Sequence, residues 1–339
     1  MLHGERGKAV FKLSGAVSTA LLLLLLWPAR PVLAEGKPLD LSAEPIQPLQ
    51  VISGLDKRKV ELGRKLFHEP RLSIDGSISC ASCHDLSNGG SDHQARSVGV
   101  KGAEGSIRAP TVYNAALNFV QFWDGRAASL EEQVSGPVTN PVEMASNWDH
   151  VTQVLAADRD YAAAFRDIYG RPAGKQTVSD AIATFERSLI AVNSRFDAFL
   201  RGDAAALSDD ERKGYELFKS YGCASCHQGA NVGGNMFEKF GFLGDYLTER
   251  GQETAADQGR FNVTGWEGDR HVFKVPSLRM VASGGPYFHD GSALDLDTAV
   301  SVMARYQLGR DIPKHDVQKI ILFLDSLMGE TAPEPKVAP

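Results

Sequence analysis

The sequence predicts an all-α fold in two domains, each made of short helices joined by long irregular loops. Three observations carry that reading. Apolar residues recur at helical spacing in several segments, whereas strand-like alternation is scarce. The pentapeptide Cys-Ala-Ser-Cys-His occurs twice, at 80–84 and 223–227, one copy in each half of the chain. A Gly- and Ser-rich stretch follows the first copy and a Gly-rich one the second, and both read as loops.

Taken in order, the first element is a leader. Arg6, Lys8 and Lys12 precede an apolar run from Ala20 to Trp27, and small residues lead to Val32-Leu33-Ala34-Glu35. That is the pattern of a cleavable export signal at 1–34, with an apolar run too short for a comfortable membrane span. Residues 35–49 are rich in Pro and polar side chains and read as an extended lead-in. A helix is expected at 57–67 and its counterpart at 209–218. Both carry Gly and then Leu-Phe (Gly63, Leu66, Phe67 and Gly214, Leu217, Phe218) ahead of the pentapeptide, as distant internal repeats would. Residues 85–105 form a loop long enough to be functional. Further helices are expected at 130–134, 151–157, 161–168 and 178–192, then a hinge at 196–203. After the irregular stretch at 228–268 come helices at 297–307 and 314–327 and a disordered tail. The domains are therefore expected at 35–200 and 201–328, with 329–339 as the tail. The net charge of −6 argues against a general nucleic-acid binder and is compatible with a basic protein partner.

The repeated pentapeptide points to chemistry. Two cysteines three apart can each add to a vinyl group on one porphyrin edge, and the next residue offers an imidazole to the iron. Cys80, Cys83 and His84 would hold one c-type haem, and Cys223, Cys226 and His227 another. A zinc ribbon would bring its two knuckles within roughly 15–20 residues of each other. A thioredoxin-like motif would need a βαβ setting, and two disulfides would not explain a His after each pair. Two cytochrome c-like haem domains remain.

A haem with both axial positions filled moves electrons, whereas an open one can bind peroxide or oxygen. Opposite His227 the candidates are Met236, Met280 and Met303, each of which could equally fill core. Opposite His84 the loop offers only His93, so that face is expected to be open. Trp123 could pack in the core or lie between the porphyrins, and Gln133 and Glu143 flank a Gly-Pro/Asn-Pro stretch that could present them to a pocket.

Over nearly the whole mature chain the sequence resembles the bacterial dihaem cytochrome c peroxidases. The matching runs are RLSIDGSISCASCHDLSNGG, APTVYNAALNFVQFWDGRAASLEEQ, NPVEM, FERSL, YGCASCHQGANVGG, VFKVPSLR, PYFHDGSA and VMARYQLG. The resemblance implies hydrogen-peroxide reduction in the periplasm by a homodimer, with a small c-type cytochrome or cupredoxin as donor. It implies that His84 serves the peroxidatic haem, with Glu143 as distal acid/base, Gln133 as its polar neighbour and Trp123 between the haems. His227 and Met303 would ligate the electron-accepting haem. Two departures stand out. Many members carry a His after Ser-x-Gly in the first loop, where this chain has Val100, so no reductive activation is expected. The family's calcium site uses an Asn where this chain has Arg108, which puts calcium in doubt. The alternatives are a methylamine-utilisation-like oxidase of protein side chains, which would use a Tyr in place of Met303 (Tyr306 lies one turn away), and a dihaem electron carrier.

Overall fold

The computed structural model describes residue 41 and residues 43–331. The expected leader at 1–34 lies outside the described residues, as does the tail from 332 onward. The helices of the first half are α1 (Lys57–Phe67), α2 (Cys80–Cys83), α3 (Leu130–Gln133), α4 (Ser135–Thr139), α5 (Trp148–Ala157), α6 (Arg159–Tyr169) and α7 (Lys175–Ser188). Then come α8 (Arg195–Leu200), α9 (Asp209–Tyr221), α10 (Tyr246–Arg250), α11 (Phe261–Thr264), α12 (Leu296–Val302) and α13 (Lys314–Ser326).

Helix α1 starts where the Asp56 carboxylate accepts the Arg58 amide, and it buries Leu62, Gly63, Leu66 and Phe67. That face packs on Ala181, Ile182 and Phe185 of α7, with the Phe67 and Phe185 rings edge to face at 5.3 Å. Helix α9 opens on a capping box between Ser208 and Glu211 and buries Gly214, Leu217 and Phe218. It packs on α13, where Phe218 and Phe323 lie 5.0 Å apart. The two glycines do the same job. A Cβ on Gly63 would sit 1.9 Å from the Ala181 carbonyl oxygen, and one on Gly214 would sit 1.9 Å from that of Lys319. Each pentapeptide is thus preceded by a helix whose glycine lets it press against the backbone of a later helix, as the repeat predicts.

Two hydrophobic cores result. The first gathers Leu62, Phe67, Val151, Phe165, Ile182 and Phe185, and the second Ile46, Phe196, Tyr215, Phe218, Phe323 and Leu327. Fully burying each such side chain is worth about 1.5–3 kcal/mol.

The structure differs from the sequence reading in three places. Residues 195–200 are a helix, not a hinge: Ser194 caps it, and Phe196 and Phe199, three apart, enter the second core. Within the irregular stretch, Phe237–Lys239 (β1) pairs antiparallel with Val272–Lys274 (β2), a short ribbon too brief for an alternation signal. The helix expected at 297–307 is α12 followed by a π-helical turn at Met303–Gln307, a widening often found at functional positions.

Candidate functional site

Ser79 and Ser82 cap α2 reciprocally, so Cys80 and Cys83 lie one turn apart, and the His84 amide closes the turn on the Cys80 carbonyl at 3.0 Å. In the second copy Gly222, at φ +102°, ends α9 and starts a single turn, and the His227 amide again bonds the Cys223 carbonyl at 3.0 Å. All four thiols are free. Burial pushes the Cys80 thiol up to about 12 and the Cys223 thiol up to about 11.

His84 and His227 sit deep in the fold yet keep accessible surface, as residues lining an internal space do. Burial disfavours the imidazolium in both, taking His227 down to about 4. Each buried Nδ1 lacks a well-formed hydrogen bond, although the backbone of Gly90 and Pro110 faces His84 and that of Val232 and Pro276 faces His227. Neutral imidazoles flanked by two thiols suit a c-type haem at each copy.

Near the first copy, Glu143 lies within electrostatic range of Cys80 and Cys83. Burial raises its carboxyl above the ordinary range, opposed by a hydrogen bond from Asn140 and by the charge of Arg126. The Asn140 amide donates to Glu143 Oε1 at 2.6 Å, leaving Oε2 available. Val100 is buried, and its amide donates to the Glu143 carbonyl at 2.9 Å. Gly99 makes that approach possible, because a Cβ there would lie 2.2 Å from the Val142 carbonyl oxygen. Gln133 ends α3 half-buried and does not hydrogen-bond Glu143. His93 has Nε2 2.8 Å from the Asn88 carbonyl and Nδ1 3.1 Å from that of Gly285, so both its ring nitrogens are engaged by backbone.

Around the second copy lies an apolar cavity of about 250 Å³ whose walls include Cys223, Cys226, His227 and Met303. Met280 also lines it but is packed into the first core, and Met236 lies outside its wall. Tyr306 is turned elsewhere: its hydroxyl donates to Glu249 Oε2 at 2.6 Å. The cavity reaches Trp123, whose indole N–H donates to the Arg108 carbonyl at 3.0 Å and whose carbonyl accepts the Lys274 amide at 2.8 Å.

Several residues of the site are not singled out by the sequence reading, although Asn140, Glu186 and His289 fall inside the runs NPVEM, FERSL and PYFHDGSA. Asn140 acts through its side-chain hydrogen bond to Glu143. Glu186 on α7 lies within electrostatic range of Cys80, with a buried Oε2 that no group bonds, and burial pushes its carboxyl up to about 8. His289 is buried, stacks on Phe273 at 4.3 Å and bonds Asp257 at 2.8 Å. Asp257, His289 and Asp290 converge closely, but Arg250 pairs with both acids, which makes the group a closed ion-pair network.

The family profile described as di-haem cytochrome c peroxidase matches residues 57–205. The cytochrome c551 peroxidase of Nitrosomonas europaea is 46% identical over 288 residues, 85% of each chain. The cytochrome c peroxidase Ccp of Escherichia coli (strain K12) is 48% identical over 291 residues, 86% of this chain, which spans only 62% of that longer protein. A crystal structure of a MauG-like protein associated with microbial copper homeostasis superposes with a TM-score of 0.72 at 27% identity, covering 85% of this chain and 94% of that one.

Proposed function

The chain belongs to the di-haem cytochrome c peroxidase family of oxidoreductases, and from that premise we propose that it reduces hydrogen peroxide to water in the periplasm, with electrons from a small c-type cytochrome or cupredoxin. The haems would be bonded to Cys80 and Cys83 in a domain at 35–200 and to Cys223 and Cys226 in a domain at 201–328. His84 would ligate the first, and His227 and Met303 the second. When bound, the haems supply the redox centre at which peroxide reacts and a store for the second electron, and His/Met ligation raises the potential of the storing one.

The observation that carries the reading is Glu143, a half-buried carboxyl within electrostatic range of the first attachment site. Its raised affinity for protons suits it to hold a proton it has taken and then return it. Asn140 occupies Oε1, so Oε2 is the atom to take a proton from one peroxide oxygen and return it to the other as the O–O bond breaks, which lets that oxygen leave as water. Two electrons from the donor by way of the haems and two protons from solvent would turn the remaining oxygen into the second water. Trp123, bonded to both Arg108 and Lys274, is suited to lie between the two haems. Val100 presents hydrocarbon where a His would block access, so the fully oxidised protein is expected to be competent without prior reduction. Met303 in the cavity wall, with the Tyr306 hydroxyl engaged by Glu249, favours peroxide reduction over oxidation of protein side chains.

The test is peroxide-dependent oxidation of a reduced small c-type cytochrome by the as-isolated, oxidised protein. Turnover from the first seconds is expected. A protein carrying two haems by mass that stays inert with and without pre-reduction would refute the proposal.

No helix among the described residues is long and apolar enough to cross a membrane. The proposed mature form, which would follow the leader at 1–34, is a homodimer.

A further inference from the structure

Two cations in the cavity wall have no carboxylate in contact with them among the described residues. Arg108 is 9% exposed; its Nε has no partner and its Nη2 reaches only the Ser91 hydroxyl at 3.4 Å. Asp92 is near enough to be felt but forms no ion pair with it. Lys274 is 7% exposed and, among the described residues, its ammonium makes neither an ion pair nor a hydrogen bond. Burial alone brings it down to about 8. Both side chains line the cavity that His227 and Met303 line, and their backbones are tied to opposite ends of Trp123. An unpaired buried charge costs several kcal/mol. Elsewhere this fold answers such charges: Arg279, 1% exposed, meets Asp197 at 2.8 Å, and Arg250 meets Asp257 at 3.0 Å. Two unanswered cations around one tryptophan mark a place made for an anion.

We propose that Arg108 and Lys274 each bind a carboxylate in this cavity, and that the carboxylates are propionate side chains of the haems on either side of Trp123. The inference rests on the haem placement proposed above. A guanidinium can take a carboxylate with two parallel hydrogen bonds, and an ammonium adds a third donor and a point charge. Arg108 also sets a fixed positive charge at this position, so the oxidised protein should need no calcium there. Both are positioning residues, since they would act on the potential and orientation of the haems and not on peroxide.

The experiment uses the full holoprotein and the variants Arg108→Gln and Lys274→Gln, with Arg108→Lys and Lys274→Arg as charge-keeping partners. Midpoint potentials are read by spectroelectrochemistry and the propionate bending bands by resonance Raman. A fixed positive charge favours the reduced haem, so each Gln variant should shift one haem about tenfold toward its oxidised form, about 59 mV downward. The charge-keeping variants should hold the potential while moving the Raman band; they keep the test alive if a Gln variant fails to fold. Chelator should leave the wild-type potentials in place. Unmoved potentials and bands in the variants would overturn the inference, as would wild-type potentials that fall on chelation. Potentials that follow added acetate would also overturn it, by assigning the cations to a free anion. Mass analysis separates the two proposals: a protein without two haems removes the functional reading itself, whereas two haems with unmoved potentials remove only this site.

Discussion

Replacing Gly63 by Ala tests whether the α1–α7 contact, and through it the first haem motif, depends on backbone pressing on backbone. The added Cβ would fall 1.9 Å from the Ala181 carbonyl oxygen and 2.8 Å from the Phe185 Cβ. Neither neighbour can rotate away, so the helices must part by about 1.1 Å to restore even the shortest real contacts, near 3.0 Å. A gap of that size forfeits a quarter to a half of each pairwise attraction, about 0.1–0.2 kcal/mol apiece. Over roughly forty atom pairs along Leu62, Leu66, Phe67, Ile182 and Phe185 the loss is about 2–3 kcal/mol, within the usual range for overpacking. The helix propensity of Ala returns about 1 kcal/mol. The net is a destabilisation of about 1–2 kcal/mol, or a Tm lower by roughly 2–8 °C. Thermal unfolding followed by far-UV circular dichroism measures it. Gly214→Ala should match it through Lys319, and Gly105→Ala, whose nearest contact would be an ordinary 3.5 Å, should stay within about 0.5 kcal/mol of wild type. If Gly63→Ala and Gly214→Ala both melt at or above the wild-type temperature, the close-contact account of the two helix pairs is wrong.

Three other perturbations have definite outcomes. Glu143→Gln keeps the size and the Asn140 contact but cannot carry the proton, so peroxide turnover should fall about 10²–10⁴-fold with haem content unchanged; a loss under threefold would rule out Glu143 as the acid/base. Arg279→Met leaves Asp197, fully buried, without its 2.8 Å partner, and should cost about 3–5 kcal/mol in urea unfolding. Glu186, pushed up to about 8, holds its proton to higher pH when folded than when unfolded, so its penalty is absent below about pH 4.5, grows as pH rises and is complete above about pH 8. Glu186→Gln should therefore gain on wild type by about 2 kcal/mol at pH 6 and more at pH 8; stability curves that stay parallel from pH 5 to 9 would show that the carboxyl ionises freely.

Much of this was legible in the chain because its signals are local. The pentapeptide carries its chemistry in five consecutive residues, and α1 and α9 announce themselves through apolar residues at helical spacing and capping side chains. Even the correspondence of Gly63 with Gly214 is visible as a repeat. What each glycine touches is not, since Ala181 and Lys319 lie more than a hundred residues away along the chain. The hinge expected at 196–203 failed for a related reason: a short polar-and-aromatic segment reads as a linker until a core 120 residues downstream gives Phe196 its neighbours.

The sequence by itself determined the helical class, the duplicated attachment motif and the residue types available for proton and electron transfer, because these depend on spacing within one turn or one loop. Only the tertiary structure decided that Met280 and Met303 but not Met236 line the cavity with His227, that Val100 is tied to Glu143, that Glu186 is buried without a partner, and that the backbones of Arg108 and Lys274 both bond Trp123. Burial and charge balance belong to groups brought together from distant parts of the chain, and no local pattern encodes which desolvated charge will be left for a ligand to answer.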